Sequence, residues 1–104
     1  MQDRRSRPRI ECNYPAVVRG IGENRRNYLR DAVARNLSVG GLYLQSKQPA
    51  EVGSRLLVLV KLSSEPAASA EALSVAARGV VVRTEAGADG MHGMGIRFER
   101  YRLV

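Results

Sequence analysis

A chain of 104 residues, 44% apolar and 26% charged, has the length and composition of one small domain with a modest core, which excludes a multidomain enzyme or a deep pocket walled by several layers. Its 17 Lys and Arg against 10 Asp and Glu give a formal charge of +7, so a polyanionic partner is expected. The lone Cys12 and lone His92 exclude an internal disulfide framework and a Cys/His zinc site.

Residues 1–13 carry charge, Pro8 and Asn13 without apolar periodicity and read as a flexible, basic N-terminal arm, with Arg4, Arg5, Arg7 and Arg9 crowded together. No apolar run follows this basic start as an export signal would require. The longest such run, Leu56 to Val60, falls far short of the roughly 20 residues of a membrane span. A cytoplasmic location is therefore expected. From Tyr14 to Ile21 the chain is β-branched and strand-like, with Pro15 tolerated near the start, and Gly22 to Arg26 forms a turn. Tyr28 to Leu37 follows as a strand with Leu29, Val33 and Leu37 as its apolar positions, weakened by Ala32 and Ala34. Gly40-Gly41 breaks it, and Leu42 to Gln45 resumes the alternation, so a tight turn around Val39 to Gly41 joins two neighbouring strands.

Arg55 to Leu62 reads as a compact apolar strand, and Ser63 to Glu71 as an alanine-rich connection too short for a stable helix. Leu73 to Thr84 predicts a long strand with a bulge at Gly79, Ala86 to Gly93 a loop, and Met94, Ile96 and Phe98 one face of a closing strand. Six short strands separated by turns point to an antiparallel barrel or sandwich. The predicted division is an arm over residues 1–13 and a barrel over residues 14–104.

Little in this chain suggests catalysis. His92 sits in a glycine-rich loop without a base or orienting partner, and the loop carboxylates Glu85 and Asp89 read as surface groups. Cys12 reads as a half-buried structural thiol. Neither Gly20-Ile21-Gly22 nor Gly93-Met94-Gly95 extends into a phosphate-cradling loop. The aromatics are scattered rather than grouped as an RNA-reading sheet requires, with Tyr43 the best candidate for an outward stacking surface. A non-enzymatic binding module is expected.

Two clusters carry more information. Arg5-Ser-Arg-Pro-Arg9 places two arginines four apart, and only Lys47 and Lys61 among the basic residues are not arginine; the planar arginine fork suits phosphate and guanine edges. Asn36-Leu-Ser38-Val-Gly-Gly41 places Asn36 and Ser38 on one strand face and Leu37 and Val39 on the other. With the apolar pair inward, the polar pair faces out, and Gly41 permits a turn or the close approach of a ligand.

Together these clusters resemble the PilZ family of cyclic di-GMP receptors, whose signature is RxxxR followed, a few tens of residues later, by (D/N)x(S/A)xxG. Arg5 and Arg9 match the first element, Asn36, Ser38 and Gly41 the second, and Gly-Met-Gly-Ile-Arg-Phe resembles the family's closing strand. The resemblance covers about residues 4 to 98 and implies a six-stranded antiparallel β-barrel whose arm folds over a nucleotide on the outer surface. It implies a cyclic di-GMP site at Arg4, Arg5, Arg9, Asn36, Ser38 and Gly41, with Arg4 where the family favours a stacked ligand pair, and no further cofactor. Asn36 stands where aspartate is more frequent and offers one acceptor oxygen instead of two. The chain ends at Val104, without the C-terminal helix of many members or a fused output domain, so a stand-alone receptor acting through an unidentified effector protein is expected. The alternatives are a degenerate PilZ interaction module that binds no nucleotide, serving for example in pilus or flagellar control, and, less favoured, a basic nucleic-acid binder.

Overall fold

Period-two alternation of apolar and polar side chains builds the described parts of the chain, residues 10–21, 29–62 and 73–104 of the computed structural model, into six strands. They are β1 (Ile10–Ile21), β2 (Leu29–Leu37), β3 (Gly41–Ser46), β4 (Arg55–Lys61), β5 (Ser74–Ala86) and β6 (His92–Leu103), with a 3-10 turn at Ala88–Gly90. All neighbours pair antiparallel, and the order β1-β2-β3-β6-β5-β4 closes into a barrel through the pairing of β1 with β4. Closure removes the exposed sheet edges that would otherwise recruit other chains. The predicted turn at Gly22 to Arg26 and connection at Ser63 to Glu71 lie outside the described residues.

Interior positions alternate along each strand, as a small barrel filled by its own side chains requires. Leu44 of β3, Leu56 and Val60 of β4, Val81 of β5 and Met94 of β6 are the largest fully buried side chains. Opposite them, β1 and β2 supply mainly small residues, Ala16, Val18, Ala32 and Ala34. On β4 the alternation separates buried Leu56, Val58 and Val60 from outward Leu57 and Leu59, so that strand carries apolar side chains on both faces.

Several sequence expectations change. The first strand begins at Ile10, not after Asn13, because Ile10 and Glu11 already pair with Leu37 and Asn36 of β2. Polar side chains do not prevent pairing here: Glu11 and Asn13 are exposed, while the half-buried Cys12 Sγ donates to the Ala34 carbonyl at 3.3 Å. In β2 the interior face belongs to Ala32 and Ala34, not to Val33, which is only half-buried. The register slips at Arg35, between the Ala34–Leu44 and Asn36–Tyr43 pairs with β3. The bulge puts an extra residue between inward positions, which is how Leu37 comes to pack against the core while Asn36 faces out. Val39, expected inward with Leu37, is instead 56% exposed at the turn.

The expected irregularity at Gly79 is present, but the extra residue is Glu99 on β6, between the Arg78–Arg100 and Gly79–Phe98 pairs. A second slip falls at Val82, between the Val81–Ile96 and Arg83–Gly95 pairs, and leaves Val82 46% exposed. Strands β5 and β6 also run on to Ala86 and back from His92, which shortens the predicted loop.

Candidate functional site

The turn joining β2 to β3 forms the rim of the site. The Ser38 backbone N–H donates to the Gly41 carbonyl at 2.9 Å, and the Ser38 hydroxyl donates to the same oxygen at 3.3 Å. With its proton committed to the turn, the Ser38 oxygen is left free to accept a hydrogen bond. Asn36 lies one residue past the Arg35 bulge, half-buried and directly opposite Tyr43 of β3. The structure thus brings Asn36, Ser38 and Gly41 to one groove of about 300 Å³, shared with Tyr43, Arg83 and Arg97.

Gly41 has a structural reason of its own. A Cβ there would stand 2.1 Å from the Ile96 carbonyl oxygen, so only glycine lets β3 approach β6 at this point. The glycine therefore serves strand packing, a role its place in the turn did not announce.

Behind the rim, the outer surface is built by a row of directly opposed residues running Glu11, Asn36, Tyr43, Gly95 and Arg83 across β1, β2, β3, β6 and β5. The ring of Tyr43 lies across Gly93, where a Cβ would meet the Tyr43 hydroxyl oxygen at 1.6 Å, and the Arg83 side chain lies over Gly95, with Cγ 3.0 Å from a Cβ there. Gly93-Met94-Gly95 is therefore a bed for two large side chains rather than a phosphate loop. Tyr43 donates its hydroxyl to Glu85 Oε1 at 3.2 Å, Arg83 Nε lies 3.6 Å from the same oxygen, and the Arg83 guanidinium sits 5.6 Å from the Tyr43 ring centroid. Burial, reinforced by the Glu85 carboxylate, pushes the Tyr43 phenol above its ordinary value, while Arg83 opposes the shift. The phenol remains a neutral donor near neutral pH. Tyr43 thus faces outward, as its place in the alternation predicts.

Sequence reading missed Arg83 and Arg97. Arg83 follows three valines in a strand that looks entirely structural, and only the slip at Val82 and the pairing with Gly95 bring it to the groove. Arg97 is exposed and opposite Gly41, and makes no ion pair among the described residues. Arg4, Arg5 and Arg9 lie outside the described residues.

Other reactive groups are accounted for elsewhere. Burial, the largest influence, raises the Cys12 thiol against the opposing effects of a Tyr14 backbone hydrogen bond and Arg35, which makes it a poor nucleophile. Glu85 is engaged by Tyr43 and Arg83, and exposed Asp89 sits in the 3-10 turn with φ 59°. Among the described residues no group of three or more His, Cys, Asp or Glu could hold a metal, and no helix is long and apolar enough to cross a membrane.

Comparison with known proteins bears on this arrangement. The profile of the PilZ domain matches residues 3–103. The structure of the Bacillus subtilis inhibitor of motility, MotI/DgrA, superposes with a TM-score of 0.73 at 14% identity, covering 97% of this chain and 45% of that one. The PilZ domain of Escherichia coli YcgR, solved with c-di-GMP, superposes with a TM-score of 0.65 at 16% identity, covering 94% and 79%. This chain thus spans less than half of the MotI/DgrA chain. At these identities the likeness is one of fold. No curated protein sequence matches the chain.

Proposed function

The chain belongs to the PilZ domain family, and on that premise we propose that it is a cytoplasmic, non-catalytic receptor for cyclic di-GMP that signals through a partner protein. The observation that carries this reading is the register of β1 on β2. Ile10 pairs with Leu37 and Glu11 with Asn36, so the strand following Arg9 starts beside the Asn36–Gly41 element. This register supports reading the two motif halves, far apart in sequence, as parts of one site.

On this reading Arg5 and Arg9 close over the ligand from the arm, one fork bonding guanine O6 and N7 and the other straddling phosphate oxygens. The Asn36 amide oxygen and the Ser38 hydroxyl oxygen accept from guanine N–H groups. Tyr43 and the Arg83 guanidinium offer flat faces on which a guanine stacks, and Arg97 supplies positive charge at the phosphate side of the groove. By the family resemblance, Arg4 engages a second, stacked ligand molecule. Ordering residues 4–9 costs about 1–2 kcal/mol per residue of backbone, so several arginine contacts must form together, and binding becomes a switch in the surface the arm presents.

Calorimetric titration with cyclic di-GMP, with GTP and cyclic di-AMP as controls, tests the reading. Saturable heat with cyclic di-GMP alone is expected, with slowed amide exchange in residues 4–9 in the complex. Absence of binding would overturn the receptor reading and leave a nucleotide-free interaction module.

A further inference from the structure

The opposite side of the barrel carries a second built surface. Two cross-strand rows run over β1, β4, β5 and β6: Val17, Leu59, Ala76 and Arg102 in one, Arg19, Leu57, Arg78 and Arg100 in the other. Directly opposed residues share a face, so the rows form an aliphatic strip of Val17, Leu57, Leu59 and Ala76 flanked by arginines, lining a groove of about 620 Å³. Leu59 is 40% exposed within it.

The charge arrangement does nothing for folding. Arg78 stands directly opposite Arg100, and Arg102, two residues along the same strand from Arg100, is the diagonal neighbour of Arg78. Like charges facing each other across a sheet destabilise it. None of Arg19, Arg78, Arg100 and Arg102 makes an ion pair among the described residues. The nearest carboxylates in the register are Asp31, opposite Val17 at the far end of its row, and Glu99, which pairs with Arg55 at 3.7 Å. An anionic partner would relieve this repulsion and cover the strip.

We propose that this β1–β4–β5–β6 face is a docking surface for an acidic amphipathic segment of a partner protein. Carboxylates of the segment pair with the arginines while its leucine-like side chains cover Leu57 and Leu59. The aliphatic centre favours a protein segment over nucleic acid, since it offers bases no central stacking face; Tyr101 lies at the edge, tilted against Phe98. A bilayer is a poorer fit, because Val17, Leu57 and Ala76 are half-buried and leave little apolar surface to insert. The proposal holds whether or not the domain binds nucleotide.

The test uses the full chain and synthetic peptides of about 18 residues, five helical turns. One carries leucine at i, i+3, i+4 and i+7 with glutamate elsewhere, one has the same composition scrambled to abolish the apolar face, and one carries lysine for glutamate. Binding is read by fluorescence anisotropy and amide shift mapping, with phosphatidylglycerol vesicles and a short single-stranded RNA alongside. The acidic amphipathic peptide should bind at least about tenfold tighter than either comparator peptide and shift Val17, Leu57, Leu59 and Ala76. Arg78→Glu and Leu59→Ser should each weaken it about tenfold, while Arg78→Glu raises the thermal midpoint of the free protein by relieving the repulsion with Arg100. Equal binding of the scrambled peptide, shifts confined to another face, tighter binding of vesicles or RNA, or a midpoint lowered by Arg78→Glu would overturn the proposal. Because the nucleotide groove lies on another face, loss of cyclic di-GMP binding and loss of peptide binding are read separately.

Discussion

Gly41→Ala separates the packing role of Gly41 from its place in the motif. The added Cβ would stand 2.1 Å from the Ile96 carbonyl oxygen and 3.2 Å from its carbon, both backbone atoms, so no side chain can swing aside. Strands β3 and β6 would have to part by roughly 1 Å from a normal spacing of about 4.8 Å. That opening breaks the hydrogen bond from the Phe98 N–H to the Gly40 carbonyl, now 2.9 Å. A neighbouring ladder bond goes with it. Two backbone bonds at about 0.5–1.5 kcal/mol each and about 1–3 kcal/mol of overpacking strain sum to about 2–6 kcal/mol. For a domain of this size the thermal midpoint should fall by at least about 8 °C.

Gly93→Ala provides the contrast, because the atom it meets, 1.6 Å away, is the Tyr43 hydroxyl at the end of a side chain. The ring can rotate out, losing its exposed bond to Glu85, a cost of about 1 kcal/mol. Circular dichroism melts should therefore place Gly93→Ala close to the wild type and Gly41→Ala well below it. Calorimetry should show cyclic di-GMP affinity reduced in Gly93→Ala by roughly tenfold through the displaced stacking face. A Gly41→Ala midpoint within about 3 °C of the wild type, or equal melting of the two variants, would refute the close-approach argument.

Arg5→Ala and Arg9→Ala should each weaken cyclic di-GMP binding tenfold to a few hundredfold, the equivalent of about 1.5–3 kcal/mol, with unchanged melting; wild-type titrations for both would remove the arm from the site. Asn36→Ala and Ser38→Ala should reduce binding with midpoints within about 5 °C of the wild type. Leu37→Ala should instead cost about half the 2–5 kcal/mol of a fully buried leucine, and equal melting of Asn36→Ala and Leu37→Ala would show the strand phase to be wrong. Ultraviolet difference titration should find Tyr43 ionising above the ordinary tyrosine range, and Glu85→Gln should lower that value. Since the folded-state value is raised, the associated stability is fully present below the ordinary phenol value and lost as pH rises through Tyr43's own; a titration unmoved by Glu85→Gln would exclude the Glu85 contact in solution.

Period-two alternation was legible from side-chain order alone. The apolar positions of β3, the Gly40-Gly41 break and the closing Met94, Ile96 and Phe98 follow from which residues favour an interior face, a property each carries locally. The spacings of Arg5 and Arg9 and of Asn36, Ser38 and Gly41 were likewise readable, because a motif is a spacing. What the sequence could not decide were features set between strands. The slip at Arg35 makes Ala32 and Ala34 the interior of β2 and still leaves Leu37 inward, and no residue in β2 announces that its partners have shifted. Early pairing of Ile10 and Glu11 depends on open β2 groups opposite them, not on their polarity. Val39 is exposed because the turn ends the alternation before reaching it. Arg83 joins Tyr43 only because β6 lies between β3 and β5 and places glycines beneath both. A side chain's preferences are encoded in its own chemistry, whereas its neighbours across a barrel are fixed by strand order and register, which depend on the whole closed sheet.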